Sequence, residues 1–390
     1  MIPRQLRRAM PAPTASFVTL AATLGACCSP ASPAAEPDPR VAGLIRNLGI
    51  EEGATRARDR KDWRVPRKMV VLGSIPADER EALASAAPGA EVVVVRDVPA
   101  MAAAAKDADV VVGLTSFPGV CEPEVVNAAR ELRWILSMSA GVERCMAVPS
   151  VKERDLLVTN MRGVDSATIA EHTIALMLAL ARGIDTFVLN THRGRWSRDD
   201  AAATRMQVLT GKTLLVVGLG GIGTEVARRA HGIGMKVVAT RGSSRTGPDF
   251  VSYVGLPEEM PGLARTADVI VNAAPLTTET TGIFNAQFFR SLKPTALFLN
   301  VARGGSVVTE DLVAALEEGQ IAGAGLDVVD PEPLPPDHPL WKAPNVIISP
   351  HVSSRSDVPS EARWILAREN IRRYAAGEKM LSVVDLNREY

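Results

Sequence analysis

Short apolar runs alternate with amphipathic segments along most of the chain. This alternation is typical of βαβ units, which build parallel sheets. A first series of buried strands is predicted at 69–73, 91–95, 109–114, 132–137 and 156–159. A second series is predicted at 212–217, 236–239, 269–272, 296–301, 324–328 and 346–349. The pattern therefore predicts an α/β fold with two parallel sheets.

A long helical pattern at 167–187 separates the two series. Its apolar face is wide, so we expect it to be buried between domains or against a second copy of the chain. We predict two Rossmann-like domains, each a doubly wound parallel sheet, with an active-site cleft between them. The substrate domain comprises residues 66–165 and 356–390, and the dinucleotide-binding domain comprises residues 166–355.

Composition and charge exclude several function classes. The 390 residues suffice for two domains with additional segments. Lys+Arg and Asp+Glu number 44 each, which gives no bulk attraction to nucleic acid or to an anionic membrane. No apolar run reaches the roughly 18–20 residues of a membrane-spanning helix. The four cysteines show no metal-ligand spacing, so we predict no metal site, and we expect Cys121 and Cys145 to be buried thiols.

The first 39 residues are predicted to be a leader and linker. A basic start, a short apolar stretch and small residues are typical of an export signal. Leu24-Gly25-Ala26-Cys27 resembles a bacterial lipobox, which would attach the protein to a membrane through a lipidated Cys27. We therefore expect an exported, periplasmic or lipid-anchored protein. A transit peptide or a plain tail on a cytoplasmic protein stays open, and residues 40–65 are predicted to be an N-terminal extension.

A glycine-rich turn lies between a predicted strand and a predicted helix. Its sequence, Gly218-Leu219-Gly220-Gly221-Ile222-Gly223, matches the GxGxxG pattern of dinucleotide sites. The first glycine permits a tight turn, the second lets the backbone approach a pyrophosphate, and the third allows close helix–strand packing. The helix then presents free amides and a positive dipole end to the phosphates. We predict cofactor contacts from Gly218, Gly220, Gly221, Ile222 and Gly223.

Residues after the next strand indicate which dinucleotide binds. NAD sites usually carry an acid there for the ribose 2′-hydroxyl. This chain has Arg241, Ser243 and Arg245 instead, with no acid in the same stretch. Guanidinium groups suit a 2′-phosphate because they bind phosphate in a bidentate manner. We predict NADP(H) as the favoured cofactor and leave NAD(H) open, since these residues could also be solvated loop residues.

Three further segments follow predicted strands and carry a family resemblance. They are Asn300-Val301-Ala302-Arg303-Gly304-Gly305, Leu326-Asp327-Val328-Val329-Asp330-Pro331-Glu332-Pro333-Leu334-Pro335 and Ser349-Pro350-His351-Val352-Ser353-Ser354. Together with the glycine loop, and in this order over about residues 69–390, they resemble the D-2-hydroxyacid dehydrogenase family. The resemblance implies hydride transfer between a nicotinamide cofactor and a small 2-keto or 2-hydroxy acid. It also implies a homodimer, and glyoxylate and hydroxypyruvate are plausible substrates.

The chemistry requires a fixed cation for the substrate and a donor for one proton. Arg303 supplies an always-charged fork for the carboxylate and the carbonyl. His351 is the natural acid/base, because the ordinary pKa of histidine is about 6.5. Glu332 can pair with His351 and favour the protonated form. The family resemblance implies the same catalytic roles for Arg303, Glu332 and His351, although each alone could be a structural or solvated residue.

The resemblance also implies further binding residues. For the substrate they are Ala140, Gly141 and Val142, together with Arg303. For the cofactor they are Pro275, Val301, Ala302, Arg303, Asp327, His351 and Ser354. In one departure, Ser353 and Ser354 stand where the family often has glycine.

Two other functions stay open at this point. One is a nucleotide-sensing interaction protein on the same fold, because some relatives of this fold act as corepressors. The other is a related dehydrogenase that acts on formate or phosphite. Glu332 disfavours the formate alternative, since formate enzymes of the family carry Gln at this place.

Overall fold

A computed structural model of the chain describes residues 36–113, 119–203, 206–242, 244–357 and 361–390. The predicted leader with Cys27 lies outside these residues, apart from the last few residues of its linker, and so does Ser243. The strands in the described residues are β1 Glu52–Arg56, β2 Lys68–Leu72, β3 Glu91–Val95, β4 Val110–Gly113, β5 Trp134–Ser137, β6 Leu157–Thr159, β7 Thr213–Val217, β8 Lys236–Thr240, β9 Tyr253–Gly255, β10 Val269–Asn272, β11 Leu297–Asn300, β12 Gly323–Leu326, β13 Val346–Ile348 and β14 Lys379–Leu381.

The α-helices are numbered in chain order. They are α1 Val41–Leu48, α2 Ala77–Ala86, α3 Val98–Ala104, α4 Pro123–Ala128, α5 Glu143–Met146, α6 Pro149–Glu153, α7 Ser166–Arg182, α8 Ile184–His192, α9 Arg198–Ala203, α10 Gly221–Gly232, α11 Met260–Ala264, α12 Ala286–Arg290, α13 Thr309–Glu317 and α14 Glu361–Ala376.

Two parallel sheets form the centres of two lobes. The five-stranded sheet has the order β3-β2-β4-β5-β6, and the seven-stranded sheet has the order β13-β12-β11-β10-β7-β8-β9. Their strands are continuous apolar runs, because helices cover both faces of such sheets. The prediction of two Rossmann-like parallel sheets is confirmed. We call the two parts the five-stranded lobe and the seven-stranded lobe.

The five-stranded lobe also contains segments that precede and follow the strands of its sheet along the chain. Trp134 of β5 stacks on Tyr374 of α14, with ring centroids 4.9 Å apart. β1 pairs with β14, and Ile50 and Ala57 are buried in the same apolar cluster as Trp134. The segment 40–65, predicted to be an extension, therefore contributes to this lobe and to its core.

The long helix predicted at 167–187 is interrupted. α7 ends at Arg182, and Gly183 takes the left-handed conformation with a φ of 61°. Glycine has no Cβ, so it adopts this conformation at little cost, and α8 then leaves at an angle of 78°. Within the described chain, no helix alone is long and apolar enough to cross a membrane.

Cys121 and Cys145 are buried as predicted, but they form a disulfide, so the prediction that they are thiols is wrong. The two residues are 24 apart in sequence, and their Cα atoms are 4.7 Å apart. Cys145 lies in α5, and Cys121 lies shortly before α4. The bond therefore ties α5 to the segment that precedes α4. Sequence spacing alone does not reveal such a pair, because connectivity depends on the fold.

Candidate active site

The three predicted catalytic residues lie just beyond the ends of three neighbouring strands. Arg303 follows β11, Glu332 follows β12 and His351 follows β13. These strands are parallel, and their last residues are in register. Because the carboxyl ends of parallel strands meet at one edge of a sheet, the structure brings the three residues to one side of the seven-stranded lobe.

His351 and Glu332 form a hydrogen-bonded pair. The Nδ1 atom of His351 lies 2.9 Å from Oε2 of Glu332. This hydrogen bond raises the pKa of His351 above its ordinary value, although burial opposes the shift. Burial would raise the pKa of Glu332, but hydrogen bonds from His351 and from the Val329 amide hold it below its usual range. The pair therefore favours a protonated imidazole beside an ionised carboxylate.

We expect Glu332→Gln to move the pH profile of reduction towards acid. Reduction needs a protonated His351, so its rate falls as pH rises through the His351 pKa. Glu332 raises that pKa, and the neutral amide removes most of the effect. The falling limb of kcat/KM therefore lies at lower pH in the variant than in the wild type, which steady-state rates across the pH range measure. A limb that stays in place would contradict a role of Glu332 in the protonation of His351.

A buried carboxylate holds the backbone around His351. The Asp327 carboxylate accepts hydrogen bonds from Ser349 Oγ (2.7 Å) and from the amides of Val352 (2.9 Å) and Ser353 (3.0 Å). His351 itself has a φ of 52°, which is uncommon for a residue other than glycine. The structure thus shows that Asp327 fixes the backbone of residues 349–353 around His351. A cofactor contact of Asp327 stays a prediction.

A chain of hydrogen bonds connects Asp327 to α7. His172 Nε2 lies 2.8 Å from Ser349 Oγ, and Ser349 donates to Asp327. His172 therefore contacts the segment before His351 from a distant part of the chain. Nothing in the local sequence around His172 indicates a partner so far along the chain.

Arg303 contacts both lobes. Its Nη1 group donates to the Ala302 carbonyl at 2.6 Å. On the other edge, its Nε atom lies 3.0 Å from Oε1 of Glu143, and its Nη2 atom lies 3.4 Å from Oε2. Glu143 is the first residue of α5 in the five-stranded lobe. Sequence reasoning missed Glu143, whose only signal was its place beside the predicted substrate loop.

The loop at Ala140, Gly141 and Val142 presents backbone amides next to Arg303. Asn160 Nδ2 holds the Ala140 carbonyl at 2.8 Å, and Ser139 Oγ holds the Gly141 carbonyl at 3.1 Å. Within the described residues, the amides of this loop donate to no other group. A Cβ atom on Gly141 would overlap the Arg303 guanidinium. The loop can therefore offer amides to an anion that also contacts Arg303.

The glycine turn has the geometry of a pyrophosphate site. Gly218 has a φ of 95°, and a Cβ atom there would lie 2.6 Å from the Ala274 amide nitrogen. A Cβ atom on Gly223 would overlap the Gly218 carbonyl, so the third glycine is needed for close packing. At Gly220, no described atom lies within 4 Å of the Cβ position. Gly220 directly precedes α10, whose N-terminus can receive a phosphate, so the residues present fit a dinucleotide.

The predicted phosphate-binding arginines differ in their contacts. Arg245 Nη1 lies 2.6 Å from Oε2 of Glu259 and 3.1 Å from the Tyr253 hydroxyl. The stretch itself holds no acid, but the fold brings Glu259 to Arg245 from further along the chain. Arg241 Nη1 donates to the Thr246 carbonyl at 3.4 Å.

The remaining predicted cofactor residues line the same edge of the seven-stranded lobe. Val301 and Ala302 are buried directly after β11, Ile222 is half-buried, and Pro275 and Ser354 are exposed. Their contacts with a cofactor stay predictions. In the described parts of the chain, no cluster of His, Cys, Asp or Glu side chains could hold a metal ion.

A family model and known relatives both match this chain. Residues 174–353 match the family model described as D-isomer specific 2-hydroxyacid dehydrogenase, NAD binding domain. A glyoxylate reductase/hydroxypyruvate reductase of Mus musculus is 34% identical over 325 residues, which cover 82% of this chain and 98% of the relative. A glyoxylate reductase of Korarchaeum cryptofilum is 36% identical over 279 residues, 70% of this chain and 81% of the relative.

A solved structure supports the same likeness. It is the crystal structure of an NADPH-dependent glyoxylate/hydroxypyruvate reductase from Sinorhizobium meliloti in complex with NADP and sulfate. It is 28% identical, with a TM-score of 0.69, over 83% of this chain and 99% of that chain. The likeness extends over both lobes, because it covers more of this chain than the seven-stranded lobe alone.

Proposed function

The chain belongs to the D-isomer specific 2-hydroxyacid dehydrogenase family and is an NAD(P)-dependent dehydrogenase, and from this premise we propose that it reduces glyoxylate and hydroxypyruvate with NADPH. The observation that carries the proposal is the pairing of His351 with Glu332 at 2.9 Å, at the same strand ends as Arg303. Relatives named for both substrates support this choice of 2-keto acids.

The side chains divide the work of reduction between them. When bound, the nicotinamide supplies the hydride to the carbonyl carbon of the substrate. Arg303 and the amides of the 140–142 loop hold the carboxylate and orient the carbonyl. Nε2 of His351, the ring nitrogen that does not face Glu332, donates the proton to the carbonyl oxygen. Glu332 favours the imidazolium before the transfer, and the reverse reaction uses the neutral imidazole as a base.

A substrate panel tests the proposal directly. Purified protein with NADPH is given glyoxylate, hydroxypyruvate and pyruvate, and oxidation of the cofactor is followed by absorbance. Formate and phosphite are tested with NADP in the opposite direction. We expect turnover of the first two acids at the highest kcat/KM. Oxidation of formate or phosphite without reduction of any 2-keto acid would contradict the proposal.

We propose that Arg241 gives the preference for NADPH over NADH. The S. meliloti relative, named as NADPH-dependent, supports this choice. A hydrogen bond to a charged group contributes about 1.5–3 kcal/mol, so Arg241→Ala is expected to lower kcat/KM for NADPH by roughly 10- to 100-fold. The kcat/KM for NADH is expected to change much less, because NADH has no 2′-phosphate. Arg265→Ala, at an exposed arginine of the same lobe, is the control, and a wild type that prefers NADH would refute the proposal.

We propose that a second copy of the chain covers α8. Several large apolar side chains on and around this helix are exposed, and large exposed apolar surfaces mark interaction sites. They are Leu178, Ile184, Val188, Leu189 and Trp196. Sedimentation at micromolar concentration is expected to give twice the chain mass of 41.5 kDa. A protein that sediments as a monomer would contradict the homodimer.

We also propose that the protein is exported, as the predicted leader suggests. The disulfide between Cys121 and Cys145 supports this location, because disulfides persist in oxidising compartments and are rare in the cytosol. Cell fractionation with thiol labelling tests it, and lipid labelling tests attachment through Cys27. Full-length protein found in the cytosol with reduced Cys121 and Cys145 would refute export.

A further inference from the structure

An ion pair between Glu143 and Arg303 joins the two lobes across the cleft. The two carboxylate oxygens face Nε and Nη2, at 3.0 Å and 3.4 Å, along one edge of the guanidinium. This side-on arrangement is one that a carboxylate takes on arginine in bidentate recognition. Both side chains are about one-third exposed, at 31% for Arg303 and 32% for Glu143. Solvent, and therefore a small acid, can reach the pair.

The Glu143 carboxylate lies close to both Arg303 and Gly141. Its Oε2 atom lies 2.7 Å from the Cβ position of Gly141, in the loop that lies next to Arg303. Arg303 already uses Nη1 to bind the Ala302 carbonyl. An acid that binds both Arg303 and the loop amides therefore meets the Glu143 carboxylate first.

We propose that Glu143 is an internal competitor that determines which substrates bind. It pairs with Arg303 until a substrate carboxylate binds the same edge of the guanidinium and displaces it. The displaced Glu143 stays close, on α5, and its negative charge repels a second carboxylate on the substrate. The site thereby favours small monocarboxylates over dicarboxylates. The identity of the substrate rests on the proposed function, but the competition for Arg303 does not.

Glu143→Gln tests the competition, with Glu122→Gln as the matched control. Glu122 pairs with Arg144 at 2.5 Å near the same helix and has no described contact with Arg303. For the NADPH-loaded protein, we expect Glu143→Gln to lower the KM for hydroxypyruvate and the Kd for oxamate by about two- to fivefold. This is the change in affinity expected from the loss of a partly exposed ion pair. We expect kcat to change by a smaller factor, and the control to change neither constant.

Specificity gives a second measurement that a purely structural role would not affect. We expect the kcat/KM for oxaloacetate, relative to that for hydroxypyruvate, to rise in Glu143→Gln because the repelling charge is gone. Glu143→Asp keeps the charge but shortens the reach to Arg303. It should lower KM like the glutamine variant while retaining the discrimination against oxaloacetate. If Glu143→Gln fails to fold, Glu143→Asp still tests the effect on KM.

The outcomes separate this proposal from the proposed function. A rise in KM together with a fall in kcat would show that Glu143 positions Arg303 and does not compete with substrate. Unchanged KM and Kd would also overturn the proposal. If the wild type binds oxamate but reduces no 2-keto acid, the proposed function fails, and the ratio of the oxamate Kd values still decides the role of Glu143.

Discussion

Replacing His351 by asparagine is expected to lower kcat/KM for 2-keto acid reduction by about 10²- to 10⁴-fold, the usual contribution of a positioned general acid. The variant keeps Arg303 and the glycine turn, so cofactor binding is expected to change little. Asparagine suits this position because His351 has a φ of 52°, a left-handed conformation that asparagine adopts more readily than most residues.

Steady-state kinetics and cofactor fluorescence measure the two quantities separately. His231→Asn is the control, because His231 is exposed at the end of α10 and away from the strand ends that carry the site. If His351→Asn retained more than a tenth of the wild-type kcat/KM, another group would have to supply the proton.

Replacing Arg303 by glutamine is expected to have the second largest effect. Two hydrogen bonds from a charged donor contribute about 3–4 kcal/mol together, so kcat/KM falls by roughly 10²- to 10³-fold. Both kcat and KM are expected to worsen, because the guanidinium orients the carbonyl as well as binding the carboxylate. Arg303→Lys should recover little of the loss, since a point charge does not replace a planar fork.

Addition of guanidinium ion to Arg303→Gln provides a further measurement. Partial recovery of kcat/KM is expected if the missing group is the cation itself. Arg290→Gln, at an exposed arginine of α12 in the same lobe, is the control. An unchanged kcat/KM in Arg303→Gln would remove this residue from substrate binding.

The fold could be predicted well because its signals are local. Buried parallel strands are continuous apolar runs, and the predicted segment 269–272 agrees with β10 Val269–Asn272. The long helix was the main error. Its apolar pattern continued past Gly183, and only the backbone shows that this glycine takes a left-handed conformation and turns the chain.

The site could be predicted only where its residues follow local motifs. Arg303, Glu332 and His351 each stand after a recognisable strand, and the glycine turn precedes a helix. Contacts between distant segments were missed, because sequence spacing does not report them. Glu143 reaches Arg303 from the other lobe, and Glu259 returns to Arg245.

The bond between Cys121 and Cys145 makes the conformational stability of the enzyme depend on reductant. It links residues 24 apart, and in the entropy model such a cross-link raises the free energy of unfolding by roughly 3 kcal/mol, because it restricts the unfolded chain. Cys145 lies in α5, two residues after Glu143. A reductant added during purification is therefore expected to lower the free energy of unfolding of the part of the chain that carries α5 and the substrate loop.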